Sequence, residues 1–383
     1  MNIGIEGQRL FRPKKHGMDF VALELVRNIQ HLDRENNYFV FVKPDTDICL
    51  ESTDNVKIIP LSGGPYPTWE QFALPLAAKK CRCDLLHCTS NTAPLFNPVP
   101  MIVTVHDIFY LENISLFYKG FSVYQKFGNM YRRYDVPGAV KRARRVVTVS
   151  RSEKNRIIHF FRLRDEQVTV IYNGVSLNFK PVKDPSVLRD IRSKYSLPEH
   201  FIFLFGNTDP KKNTRGTVIA FTKYLRETQD QIPLVIADYP EEELDRILHE
   251  IHTPEIRRFI HRLDYIKNAD LPGIYSLADL FIYPSFRESF GIPILEAMAC
   301  GTPVITSNVF AMPEVAGDAA VLADPTNPHD MARAMHRVLT EPGLRSGLSE
   351  KGFRQAARFS WSKMAGEYLD LYHGIVSEMK RRT

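Results

Sequence analysis

Residues 283–308 read YPSFRESFGIPILEAMACGTPVITSN, and this stretch decides the architecture. A run from Asp279 to Tyr283, apolar after its first residue, feeds a polar turn from Pro284 to Gly291. An apolar helix then begins at Pro293 and stops before Gly301. Proline suits the first helical position, where its missing N–H would have no partner, and glycine suits the position just past the last turn. The free N–H groups and positive dipole end at the helix start favour an anion such as a diphosphate. Gly291 beside them lets backbone approach a ligand closely. Glu288 lies in the turn and Glu296 one helical turn in, with seven residues between them. A carboxylate among Ile294, Leu295, Ala297 and Met298 needs a partner to tolerate burial. A pair of sugar hydroxyls would supply two O–H donors. A capping or salt-bridging glutamate without a ligand is the plainer alternative.

The same strand–turn–helix rhythm extends in both directions, as parallel α/β construction requires. Strands are expected at 2–6, 38–43, 56–60, 84–87, 101–105, 146–149 and 168–171, with helices at 18–32, 69–80, 117–142 and 151–161. Asn173-Gly174-Val175, then Pro181, Lys183, Asp184 and Pro185, read as a linker. The rhythm restarts with strands near 201–205, 233–237, 257–261, 279–283, 303–306 and 319–322, and helices near 213–226, 241–252, 268–277, 293–300 and 328–340. The expectation is two doubly wound Rossmann-like domains, residues 1–175 and 182–360, facing a cleft. The tail 361–383 would pack back on the first. Ligands in such sheets sit at the carboxyl ends of strands.

Bulk properties narrow the class. A chain of 383 residues, 44% hydrophobic and 25% charged, suits two ordinary globular domains. No apolar run approaches the roughly 20 residues that span a bilayer, and the first residues lack a basic-then-apolar leader, so a cytoplasmic location is expected. Five scattered cysteines form no disulfide framework, and Cys81 and Cys83 lack a second pair at zinc-ligand spacing. The net charge of +6 permits an anionic partner without choosing among a nucleotide diphosphate, a lipid surface and nucleic acid. No nucleic-acid motif is present.

Residues 284–304 resemble the E-x7-E motif of the retaining glycosyltransferases of family four, in the form (P)S-x-x-E-x-F-G-x-P-x-(L)E-A-M-A-x-G-x-P-V. The resemblance implies the GT-B fold, with Glu288 beside the donor sugar, Glu296 on the ribose, and the Phe290-Gly291-Ile292 backbone on sugar hydroxyls and phosphate. Phe205 to Asn213 resembles the segment that opens the family's donor domain, where Lys212 would neutralise the departing diphosphate. Asn207 stands where many members carry arginine, leaving more of that work to Lys212 and Lys211. Backbone near Ile266 would read the base. Val105-His106-Asp107 resembles the strand-end H-D whose histidine hydrogen-bonds the donor sugar, and Gly17 belongs to the glycine-containing first loop that approaches phosphates or acceptor. The basic insertion Arg12-Pro13-Lys14-Lys15-His16 could meet an acceptor phosphate.

The resemblance further implies transfer of a mannose- or glucose-type hexose from a nucleotide sugar to a glycan or lipid-linked acceptor, by a front-face route with neither cofactor nor metal. Cell-envelope polysaccharide synthesis is the expected setting. Asp45-Thr46-Asp47 has the form of a metal-binding D-x-D but reads as a solvated loop. Residues 117–145 mix aromatics with basic side chains, which suits either a core-packed helix with a basic face or peripheral contact with anionic lipid. Two other readings stay open: another GT-B enzyme, such as a sugar-nucleotide epimerase or phosphorylase, and an inactive nucleotide-sugar-binding protein.

Overall fold

Parallel strands covered by helices on both faces are largely apolar, and the short central strands of this chain are. The computed structural model describes residues 1–112 and 123–382, which divide into two units: Met1–Gly174 with Trp361–Thr383, and Val175–Ser360. In the first, β1 (Asn2–Glu6), β2 (Asn37–Val42), β3 (Val56–Pro60), β4 (Leu85–Cys88), β5 (Met101–Thr104), β6 (Arg145–Thr148) and β7 (Val168–Val170) pair in the order β3-β2-β1-β4-β5-β6-β7. In the second, β8 (Ile202–Phe205), β9 (Leu234–Ala237), β10 (Ile260–Leu263), β11 (Leu280–Tyr283), β12 (Val304–Ser307) and β13 (Ala320–Ala323) run β10-β9-β8-β11-β12-β13. The pairings are parallel throughout both sheets. In each sheet the order reverses once, between β1 and β4 and between β8 and β11. A strand end at such a reversal opens a crevice for a ligand.

Several expectations need correction. The segment read as linker carries a helix, Pro185–Lys194. Asp184 caps it by accepting the Ser186 N–H at 2.8 Å, and Pro185 takes the first position, so the proline that looked like a breaker is a starter. Residues Pro254–Phe259 form a 3₁₀ turn, which moves β10 later than expected. The helix Leu344–Ala356 was not anticipated. The helix of the opening motif runs Ile292–Ala299, so Pro293 is its second residue rather than its first. Of the aromatic and basic stretch 117–145, residues 117–122 and the side chains of Tyr124 and Lys126 lie outside the described residues.

The C-terminal helix Trp361–Arg382 belongs to the first unit because its tyrosines complete a buried polar network there. His87 on β4 is buried, with Nδ1 2.7 Å from Tyr372 Oη and Nε2 2.8 Å from Thr104 Oγ1. Thr104 in turn lies 2.9 Å from Tyr368 Oη. Burial lowers the pKa of His87 from its ordinary 6.5 to about 3, with His106 adding to the shift. The folded protein therefore excludes a proton that the unfolded chain takes up below pH 6.5, and stability falls as pH drops through that window. We expect wild type to lose about 2 kcal/mol more than His87→Gln between pH 7.5 and 5, read by denaturant unfolding of the full chain. Equal losses would show that His87 does not carry this dependence.

Candidate active site

Two loops of the second unit leave the carboxyl ends of β8 and β11, on either side of the reversal. The loop after β8 begins at Gly206, where an added Cβ would lie 2.5 Å from the Tyr239 Cβ, so only glycine fits. Asn207 closes it: its N–H donates to Thr214 Oγ1 at 3.0 Å, its carbonyl accepts from that hydroxyl at 2.9 Å, and its side-chain oxygen takes the Asp209 N–H at 2.8 Å. Asp209 then accepts the Lys211 N–H at 3.1 Å and pairs with the Lys211 ammonium at 3.3 Å. Asn213 turns the chain in the left-handed region at φ 58°. Its buried side-chain amide donates to Pro284 O at 3.1 Å and Pro325 O at 2.8 Å. The Phe286 N–H donates to Lys211 O at 2.7 Å. The two loops are thus stitched together by hydrogen bonds from both sides.

This stitching brings Lys212 onto Glu288. Lys212 Nζ donates to Glu288 Oε1 at 2.7 Å and to Tyr283 Oη at 2.9 Å. Tyr283 Oη donates to the same carboxylate oxygen at 2.9 Å, and Ser285 Oγ does so at 2.8 Å. Three donors therefore converge on Oε1. Among the described residues no hydrogen bond is made by Oε2. Burial alone would lower the pKa of Lys212; Tyr283 and Glu288 beside it outweigh that and hold the ammonium above the ordinary lysine range. Burial and the Glu288 carboxylate push the Tyr283 phenol well up, so it stays protonated.

Gly291 sits at φ 98° as the N-cap of Ile292–Ala299, a conformation that only glycine adopts cheaply. The Phe290 side chain is buried edge-on against Phe359 at 5.7 Å. Glu296 is half-buried, its pKa pushed by burial up to about 7, and its nearest described donor is Tyr275 Oη at a long 3.4 Å. Ile266 follows β10, its side chain buried, so that only its backbone is on offer.

The first unit holds the other expected residues. His106 follows β5; its N–H donates to Asn91 Oδ1 at 2.7 Å, and its Nε2 lies 3.0 Å from Thr89 O. A carbonyl only accepts, so Nε2 carries the proton, and burial lowers the pKa and keeps the ring neutral. Nδ1 is then the acceptor nitrogen. Gly17 opens the helix Gly17–Leu32 at a place where a Cβ would meet nothing within 4 Å. The D-x-D lies in a loop with Asp45 and Thr46 exposed, as expected, while Asp47 pairs with the buried Lys15 ammonium of the basic insertion, which also donates to Arg12 O at 3.0 Å. No cluster of three or more His, Cys, Asp or Glu side chains suited to a metal occurs among the described residues.

Sequence reasoning missed Tyr283, Ser285 and Asn213 as builders of the site. An aromatic closing a buried strand looks like any core residue, and its hydroxyl has no partner until the loops are folded.

Residues 17–179 match the profile described as Glycosyltransferase Family 4, and residues 189–355 match Glycosyl transferases group 1. Between them they cover all of the chain but 1–16, 180–188 and 356–383. The chain belongs to the family-four glycosyltransferases. Over 231 residues the chain is 32% identical to O-antigen chain mannosyltransferase B of Escherichia coli, a match spanning only 60% of each chain. It is 29% identical to D-inositol 3-phosphate glycosyltransferase of Salinispora arenicola, across 94% of this chain and 88% of that one. The structure of Anabaena HepE in complex with UDP-glucose superposes with a TM-score of 0.70 at 18% identity, covering 98% of this chain and all of the other. Both sheets and their order fit the GT-B fold of such enzymes.

The stitching residue can be tested apart from any ligand. Asn213→Ala leaves two buried carbonyls unpaired and strains a left-handed position, and should destabilise the protein by about 2–4 kcal/mol. Asn213→Gly relieves the strain alone and should recover about 1 kcal/mol of it in denaturant unfolding. Equal stability of wild type and Asn213→Ala would remove Asn213 from this role.

Proposed function

We propose that this glycosyltransferase moves a mannose- or glucose-type hexose, with retention of configuration, from a nucleotide-diphosphate sugar to a glycan or lipid-linked acceptor in cell-envelope polysaccharide or glycolipid assembly. The observation that carries the reading is the Lys212–Glu288 pair at the strand reversal, beside the N-terminus of the helix that holds Glu296. The mannosyltransferase named above supports a mannose-type donor, and the UDP-glucose complex of HepE supports a nucleotide sugar in this fold.

In this reading Lys212 and the helix N-terminus stabilise the charge that gathers on the departing diphosphate, with the Gly291 and Ile292 backbone against it. Lys211 and Asn207 shape the loop around the phosphates. Glu288 holds a donor hydroxyl through Oε2, Glu296 accepts the two ribose hydroxyls, and the backbone at Phe290 and Ile266 orients sugar and base. His106 offers Nδ1 to a sugar hydroxyl, and the loop at Gly17 receives the acceptor. The bond from the anomeric carbon to the phosphate oxygen breaks as the acceptor oxygen adds on the same face, and that phosphate oxygen takes the acceptor's proton. Positioning and fixed charge do the work, with neither a protein base nor a metal.

The test is calorimetric titration with UDP-, GDP- and ADP-hexoses. A nucleotide sugar is esterified at both ends of its diphosphate, so it has no proton of its own to lose between pH 6 and 8. Glu296 does titrate there: below about 7 the free protein carries a proton on the carboxyl that should accept the ribose hydroxyls. Affinity should therefore fall about tenfold from pH 8 to pH 6 in wild type and stay flat in Glu296→Gln. Lys212→Ala should weaken binding at both. No binding of any of the three at millimolar concentration would sink the reading.

We also place the acceptor side at an anionic membrane surface. Phe127, Met130 and Tyr134 are exposed on one face of the helix Val123–Arg142, and Phe72 and Leu76 are exposed one turn apart on the neighbouring helical segment. Gln71 fixes the two together by donating to Tyr131 Oη at 2.7 Å and Asp135 Oδ2 at 2.9 Å. The Arg142 guanidinium lies 5.9 Å from the ring centre of the exposed Phe96. Among the described residues no helix is long and apolar enough to cross a membrane, so such contact would be peripheral. Sedimentation with phosphatidylglycerol vesicles should retain the protein at low salt, less so for Phe72→Ser/Tyr134→Ser. Equal retention of the variant would place the contact elsewhere.

A further inference from the structure

We infer that Tyr283 is a positioning residue of the transfer site: its hydroxyl holds Glu288 Oε1 so that Oε2 alone meets the donor sugar, and keeps that grip when Lys212 turns to the diphosphate. The inference rests on the function proposed above and adds a residue to which the family motif gives no part.

Without a ligand Lys212 and Glu288 satisfy each other at 2.7 Å. A diphosphate brings more negative charge than one carboxylate, so it draws the ammonium toward itself, and Glu288 then loses a charged donor. A carboxylate whose side chain is only 13% exposed cannot simply turn to solvent for a replacement. The two hydroxyls that remain, Tyr283 Oη at 2.9 Å and Ser285 Oγ at 2.8 Å, both donate to Oε1. They fix the rotation of the carboxyl, and with it the place of Oε2.

Both hydroxyls stand on immobile supports. The Tyr283 ring is buried and stacked on Phe281 with centroids 5.8 Å apart and planes 21° apart. Phe281 packs against Phe205 at 5.9 Å and Tyr275 at 5.2 Å, forming an aromatic layer on one face of β8 and β11. The backbone on either side is tied to β12: Thr306 Oγ1 donates to Tyr283 O at 2.8 Å, and Ser307 Oγ to Ser285 O at 2.5 Å. The phenol is therefore a fixed post with one rotatable hydrogen. Its oxygen also accepts from Lys212 at 2.9 Å, so one group sets the positions of both charges. Phenylalanine would keep the packing and remove only the post.

The experiment compares two ligands on the full chain: the nucleotide sugar that binds best and its free nucleoside diphosphate, which has no sugar for Glu288 to hold. In Tyr283→Phe the ratio of sugar-nucleotide Kd to diphosphate Kd should rise about tenfold, the size expected for one hydrogen bond to a charged group. In a Glu288→Gln background the same substitution should move that ratio less than about twofold, because the group it positions is no longer a carboxylate. A general structural role would shift the ratio equally in both backgrounds, and that result overturns the inference, as does an unchanged ratio in Tyr283→Phe. Diphosphate binding retained by the variant reports that it is folded. If wild type binds neither ligand, the transfer function itself has failed and the inference falls with it.

Discussion

The site of the second unit depends on one constraint: a parallel sheet covered on both faces leaves little room for charge along its central strands. Leu280 to Tyr283, like Ile202 to Leu204, is buried at each position. One face packs against the helices Thr214–Thr228 and Pro328–Thr340 through Phe221 and Met335, and the other carries the aromatic layer around Phe281. Polar chemistry is driven to the strand ends, where the backbone stops pairing and its N–H groups come free. The strand order reverses between β8 and β11, and the two loops that leave the sheet there are joined by hydrogen bonds that bring Lys212 onto Glu288.

A half-buried ion pair is weak evidence for stability, since desolvation consumes much of the attraction. It makes better sense as a rest state. The pair keeps each charge compensated while the site is empty, and the hydroxyls of Tyr283 and Ser285 lower the cost of parting them. Glu296 represents the opposite arrangement. It has no close cationic partner among the described contacts, and burial alone raises its pKa toward neutrality. Two carboxylates eight positions apart in sequence thus have different electrostatic characters, and the difference comes from the loop that brings Lys212 to one of them and not the other.

The strands were legible because period and composition follow from burial: an apolar run of four or five residues bounded by glycine, proline or polar turns has few other uses here. The motif glutamates stood out because the strand, glycine turn and helix around them resemble a family motif across some twenty positions, which two glutamates alone would not do. The linker was misread at Pro185 because the same proline ends one structure or begins another, and only the Asp184 cap decides between them. The network of His87, Thr104, Tyr368 and Tyr372 was out of reach, since it joins residues separated by 285 positions. Nor does a sequence reveal that Glu70 and Asp135, on helices far apart in the chain, share a buried cluster with Tyr131, Thr92 and Gln71.

Apart from the linker, these misses share a physical form. Each is a polar group whose partner arrives through tertiary folding, so its local sequence is indistinguishable from that of a core residue. Tyr283 is the sharpest instance. Its neighbours Phe281 and Ile282 prescribe an apolar residue, and by packing alone phenylalanine would serve. The hydroxyl is accounted for only by two loops that come from β8 and β11, separated by more than 70 residues of chain. A tyrosine closing a buried strand at a sheet reversal, beside a loop with its own carboxylate, is therefore a pattern worth reading as part of a site. The apolar environment supplies the rigidity, and the single oxygen at its rim supplies the direction.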